Sequence, residues 1–240
     1  MQQQMLARSS YSGSIVDRSP AAMIGTPFTG EEKKYLDYSA DNGTLVPGPV
    51  STTGSFILLN TPLVGAAFYN RIGSKITMKS VHVKVNISAR NAEAVFGGNN
   101  QTFRWLLVYD RQTNGAEPSI ATLLRDYQSD GANNTVILSG MNPTQTGRFI
   151  ILREHFVKFV NVNNVVDLDG AADSLTQHQD QWFINWFVKL KDLETIYQAS
   201  TGLVGDVANG ALWLVALGDA PASNQMFCSF TFKSRLRFLG

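Results

Sequence analysis

Apolar and polar residues alternate most plainly between Asn70 and Ser88, in NRIGSKITMKSVHVKVNIS. Ile76, Met78 and Ser80 share one side, and Val81, Val83, Val85 and Ile87 continue on the opposite parity. Strict alternation marks a half-buried strand. A parity slip inside it marks a β-bulge, where one extra residue turns the side chains to the other face. The polar partners Lys75, Thr77, Lys79, His82, Lys84 and Asn86 give the strand a positive exposed side.

Similar patterns follow along the chain. Ser55 to Asn60 is a short strand, read as the first (B) of the fold, with the long strand as C. Thr102 to Arg111 carries Phe103, Trp105, Leu107 and Tyr109 on one parity and Arg104, Leu106 and Val108 on the other, so both its mostly apolar faces are expected to be covered. Asn114-Gly115 and Pro118 then demand a tight turn, and Ser119 can cap a short helix running through Arg125. Gly147 to Val160 is a further strand, aromatic and β-branched throughout. Gln181 to Leu193 sets Trp182, Ile184, Trp186, Val188 and Leu190 against Phe183, Asn185, Phe187, Lys189 and Lys191. ALWLVALG fits a central strand. The last strand, Met226 to Phe238, sets an apolar row against Lys233, Arg235 and Arg237. With turn signals between the strands and no long helical period, the pattern predicts an all-β, two-sheet sandwich over residues 51–240. Residues 1–50, rich in Ser, Gly, Pro, Gln and Thr, read as an extended or partly disordered arm, with Tyr35, Leu36 and Tyr38 as anchors.

Three stretches also carry a resemblance. SFILLN followed by NRIG, Lys75 and a β-branched run, then VYDRQTNGA with Pro118, then GALWLVALG with the terminal RLRF, resemble the capsid proteins of circular single-stranded DNA viruses that encode their own replication initiator. This is the circovirus-like and geminivirus-like group, and the matches keep a consistent order over roughly residues 55–240. The resemblance implies an eight-stranded jelly roll with long loops, self-assembly into a T=1-like icosahedral shell of about sixty copies, and a single-stranded DNA genome inside. It also implies a virion component assembled in the host nucleus, with a receptor or vector bound through surface loops at 88–101, 111–146 and 160–180. Proteins of this group open with an Arg-rich arm, whereas here Arg8, Arg18, Lys33 and Lys34 are outnumbered by Asp17, Glu31, Glu32, Asp37 and Asp41. Either such an arm lies outside this sequence or the chain neutralises its genome otherwise. The alternatives are a capsid protein of an RNA satellite or tombusvirus-like virus and, from another class, a carbohydrate-binding jelly-roll domain.

Charge sharpens this reading only through its distribution, since 20 Lys and Arg against 19 Asp and Glu give a net +1. Between Asn42 and Ala92 there is no acid, yet Arg71, Lys75, Lys79, Lys84 and Arg90 all fall there; after Asp219 the only charges are Lys233, Arg235 and Arg237. That last row spans about 13 Å at a period of two and suits phosphate contact without sequence specificity. With no acid between its members, it is preferred over Lys75, Lys79 and Lys84, whose parity changes at the bulge so that they are expected not to share a face. Trp182 and Trp186 read as core or interface anchors rather than base-stacking platforms.

Little other chemistry is visible. His82, His155 and His178 lie far apart without partners, and no GxSxG, Walker, HExxH or CxxC motif occurs, so no enzyme and no cofactor are expected. Asp167, Asp169 and Asp173 could bind Ca²⁺ at a subunit interface, though a solvated acidic loop is the preferred reading. Cys228 is the one cysteine and cannot form an intrachain disulfide. MQQQMLARSS lacks the apolar core of a signal peptide, and no apolar run approaches the roughly 20 residues of a membrane span.

Overall fold

Alternating β-branched and aromatic residues form the strands that the computed structural model describes within residues 33–40, 52–90, 101–128, 133–159, 181–219 and 227–240. In order they are β1 (Lys33–Ala40), β2 (Ser55–Leu58), β3 (Lys75–Arg90), β4 (Gln101–Asp110), helix α1 (Ile120–Leu123), β5 (Asp126–Tyr127), β6 (Asn133–Asn134), β7 (Phe149–Phe159), β8 (Gln181–Tyr197), β9 (Val207–Asn209), β10 (Ala211–Gly218) and β11 (Phe227–Leu239). One sheet has the order β1-β11-β3-β8-β9, the other β2-β10-β4-β7, and β5 pairs with β6 alone.

The pairings are nested. β1 pairs with β11, β2 with β10, β3 with β8 and β4 with β7, all antiparallel. An antiparallel ribbon folded at its middle and rolled up gives this order, which is the eight-stranded jelly roll. The lettering expected from the sequence is displaced by one. Lys33–Ala40, placed by the pattern in the arm, is the first of the eight, so Ser55–Leu58 is the second, β3 the third and Phe149–Phe159 the fifth. β1 lacks a clean signature because its core-facing row begins with a charge: Lys34 is 2% exposed, and its Nζ donates to the Asn70 carbonyl at 3.0 Å.

β3 has the bulge that its sequence predicts. Ile76 and Met78 are buried before it, Val81, Val83, Val85 and Ile87 after it. Against β11 the register passes from Arg237–Ser80 to Phe238–Met78, leaving Lys79 unpaired. Against β8 it passes from Met78–Leu193 to Ser80–Lys189, an excursion in which Lys191 and Asp192 take φ of 49° and 66°.

The core lies between the sheets. Trp105 of β4 meets Phe230 of β11 edge to face at 4.7 Å, and burying a large apolar side chain in this way contributes roughly 1.5–3 kcal/mol. β10 is buried at each of its positions: β2 and β4 occupy both its edges, and both of its faces are covered. β4 is covered outside as well: the buried Arg104 donates from Nε to Glu154 at 2.6 Å and from Nη1 to the Ile137 and Ser139 carbonyls. Asn114 and Gly115 make the expected turn with φ of 52° and 68°. Ser119 caps α1 by accepting from the Thr122 amide, though the helix stops at Leu123.

A buried polar joint ties the sheets at one end. Asn60, just past β2, donates from Nδ2 to Thr195 Oγ1 of β8 at 2.7 Å and to the Gly210 carbonyl at 2.9 Å. Its Oδ1 accepts from the Leu212 amide of β10, and Tyr197 of β8 donates to its carbonyl. Asp110, fully buried, holds the turn before β7 by accepting two 2.8 Å bonds from Arg148, whose guanidinium is pushed above its ordinary range by that carboxylate.

Candidate nucleic-acid interface

The solvent-facing side of the five-stranded sheet collects the cations singled out in the sequence. On β11, Phe230, Phe232, Leu236 and Phe238 face the core, which turns Lys233, Arg235 and Arg237 outward. β1 and β3 flank them. Lys233 stands opposite Lys84, Arg235 opposite His82 and Arg237 opposite Ser80; on the other side Arg235 meets Asp37 and Arg237 meets Tyr35.

The terminal row is therefore not free of acid. Asp37, 198 residues away in the chain, accepts two 2.7 Å bonds from Arg235. The guanidinium holds the Asp37 carboxyl below its ordinary range, and Asp37 pushes Arg235 up. With its folded pKa depressed, the pair contributes at pH values above the ordinary carboxylate range. That contribution is lost only as pH falls through the lowered value. Arg237 lies over the Tyr35 ring at 5.4 Å.

The expectation that the β3 lysines diverge is also corrected. Because the apolar row changes parity at the bulge, the polar row changes with it, and Lys75, Lys79 and Lys84 all lie on the solvent side. The same displacement that keeps valines inside keeps lysines outside. Two of the three are matched locally: Lys75 pairs with Glu194 at 2.5 Å and Lys79 with Asp192 at 2.5 Å, both acids on β8. Arg71, counted with them in the sequence, is buried beneath a ring: its guanidinium lies 4.3 Å over Tyr197 and donates to the Gly73 and Ala199 carbonyls.

Two cations without a matching acid also face each other across the sheet. Among the described residues, neither Lys84 nor Lys233 has an ion-pair partner, and the two sit directly across from one another. Like charges so placed repel unless an anion lies between them. They line a groove of about 510 Å³ together with Asp37, Ser39, His82 and Arg235. His82 Nε2 is 2.6 Å from Asn185 Oδ1, and its ring meets Phe187 edge to face at 6.2 Å. The groove suits a chain of phosphates passing over β11 and β3.

Sequence reasoning missed Asp37, which its strand hides in an apparent arm, and the exposed rings of Phe183 and Phe187 beside the lysines. Trp186 packs against the core as expected, whereas Trp182 is partly exposed. Asp167, Asp169 and Asp173 lie outside the described residues, as do the loops at 91–100 and 160–180 and His178. Among the described residues, no three His, Cys, Asp or Glu gather in a way that could hold a metal ion, and no helix is long and apolar enough to cross a membrane.

No curated protein matches the chain. Residues 15–238 match the family model described as the geminivirus coat protein/nuclear export factor BR1 family.

Proposed function

The chain belongs to the geminivirus coat protein family, and from that premise we propose that it holds single-stranded DNA against the solvent-facing side of its five-stranded sheet. Family membership makes it a non-enzymatic capsid protein and a component of the virion, in a family that self-assembles and packages DNA. It also sets the sugar-binding and RNA-virus readings aside. The proposal goes further: phosphates of a circular genome seat on Lys84 and Lys233, with Arg237 and the groove-lining Arg235 beside them. The observation that carries it is the unmatched Lys84–Lys233 pair, in a sheet whose Lys75, Lys79 and Arg235 are each matched by an acid. The test is the nucleic-acid content of particles assembled from a chain carrying Lys84→Gln and Lys233→Gln. Intact particles with less DNA are expected; unchanged content would defeat the reading.

Asp37 tempers this face, so its removal acts in the opposite direction. Asp37→Asn is expected to tighten binding of a short single strand and to steepen its salt dependence by about 0.7 in the log–log slope. Titrations at several salt concentrations measure both. Weaker binding in that variant would mean that Asp37 orients Arg235 for the ligand.

The shell itself is proposed to be of the simplest icosahedral kind, with about sixty copies. What supports contact between copies, though not their number, is a loop at 61–74 that displays apolar residues. Ile72 is 68% exposed, and Leu63, Val64, Phe68 and Tyr69 are also exposed, while Leu203 at 66% lies on the segment that meets Leu63. Buried Arg71 and Lys34 hold this loop from beneath through carbonyls. Apolar residues on so constrained a loop suit contact with a second copy. Ile72→Asp with Leu203→Asp is expected to abolish particles while leaving the subunit's unfolding temperature within a few degrees. Electron microscopy showing undiminished particles would rule this contact out. Exposed Tyr127, Val136 and Leu138 in the 111–146 connection suit a receptor or vector, and passage through the host nucleus accords with the family's description.

A further inference from the structure

We infer that Phe183 and Phe187 of β8 form a base-stacking platform, so that this face binds unpaired nucleobases and prefers single strands to duplex. The inference rests on the phosphate reading of Lys84 and Lys233 and adds to it what the bases do.

β8 lies next to β3, and its outward positions are Phe183, Asn185, Phe187, Lys189 and Lys191. Phe183 is 71% exposed and Phe187 51%. Across the sheet, Arg235, His82 and Phe187 lie at one level, and Lys233, Lys84 and Asn185 at the next. Thr231, Asn86 and Phe183 follow at the level beyond. The two rings thus bracket, along β8, the level of the unmatched lysines. With strands about 4.8 Å apart and a rise of about 3.4 Å per residue, Phe187 is rooted about 10 Å from Arg235, and both rings about 8 Å from Lys84 and about 12 Å from Lys233, spans that one nucleotide and the side chains bridge from phosphate to base.

The chemistry of a single strand fits this arrangement on both counts. Its phosphates meet the lysines, and its bases, having no partner strand, present flat faces to any ring beside them. A duplex offers the same phosphates with its base faces already stacked inside. One of the rings also has a neighbour that positions it: His82, bonded to Asn185, meets Phe187 edge to face. Two phenyl groups standing in water beside excess positive charge are explained by a ligand that is both anionic and aromatic.

The experiment compares the full-length chain with its Phe183→Ala/Phe187→Ala variant on three probes of equal length: oligothymidylate, an abasic oligonucleotide and duplex DNA. The wild type is expected to bind oligothymidylate at least tenfold more tightly than the abasic strand. The variant should lose that difference while keeping its salt slope, and Phe187→Trp in the Phe183→Ala background should restore part of it. Equal binding of the abasic strand and oligothymidylate by the wild type would overturn the inference. So would a variant that keeps its oligothymidylate affinity but no longer assembles, because the rings would then be a contact between copies. If Lys84→Gln/Lys233→Gln weakens binding and the phenylalanine variant does not, only the stacking inference falls. If the lysine variant binds as tightly as the wild type, the phosphate reading itself has failed.

Discussion

Gly210→Ala is expected to destabilise the subunit by about 2–6 kcal/mol, enough to leave much of it unfolded in a domain whose stability is of the usual 5–15 kcal/mol. Gly210 sits at φ +82° between β9 and β10, where a side chain is strained by about 1–3 kcal/mol. A Cβ there would also collide with the Glu194 carbonyl oxygen and come within 2.9 Å of the Tyr109 hydroxyl. Neither neighbour can yield cheaply, since Tyr109 donates to that same carbonyl at 2.6 Å. The Gly210 carbonyl accepts from Asn60 and Thr195, so any shift that relieves the clash strips a buried hydrogen bond, at about 1–3 kcal/mol. Urea unfolding followed by circular dichroism measures the loss. A midpoint equal to the wild type's would show that the joint between the sheets can relax around a methyl group.

Removing both unmatched lysines should have the next largest effect, on binding and not on folding. Each phosphate neutralised on a single strand contributes about 0.7 to the log–log salt slope, so Lys84→Gln with Lys233→Gln should flatten it by about 1.4. If the two chains bind alike near 1 M salt, that change is a loss of about 25-fold at 0.1 M. Stability should hold or rise slightly, since two like charges directly opposite have been removed. Lys75→Gln is the control: its charge is already matched by Glu194, so the slope should scarcely move. Equal flattening by the control would mean that the face acts through its overall potential and not through the Lys84–Lys233 site.

Most strands were legible because their neighbours in sequence carry the whole signal. The parity slip in β3 appears in its own sixteen residues, since Ile76 and Met78 before the bulge and the valines after it must all stay inside. The unbroken apolar run of β10 declares a strand covered on all sides, and Asn114-Gly115 declares a turn that needs positive φ. The all-β sandwich and the family resemblance follow from such local patterns and their order, and the jelly roll was what the resemblance implied.

The site was legible only as a row of cations. Which of them remain unmatched depends on pairings across the sheet that no local pattern contains. β1 counts as a strand only because β11, almost two hundred residues later, supplies its partner and covers a core-facing lysine. That docking delivers Asp37 to Arg235, while β8 delivers Glu194 and Asp192 to Lys75 and Lys79. The bulge then brings Lys84 to the same side, opposite Lys233. Local alternation determines which side of a strand faces water. Register determines what each outward charge meets there, and register belongs to the folded sheet, whose long-range hydrogen bonds and shared core select one alignment among many that the separate strands would allow.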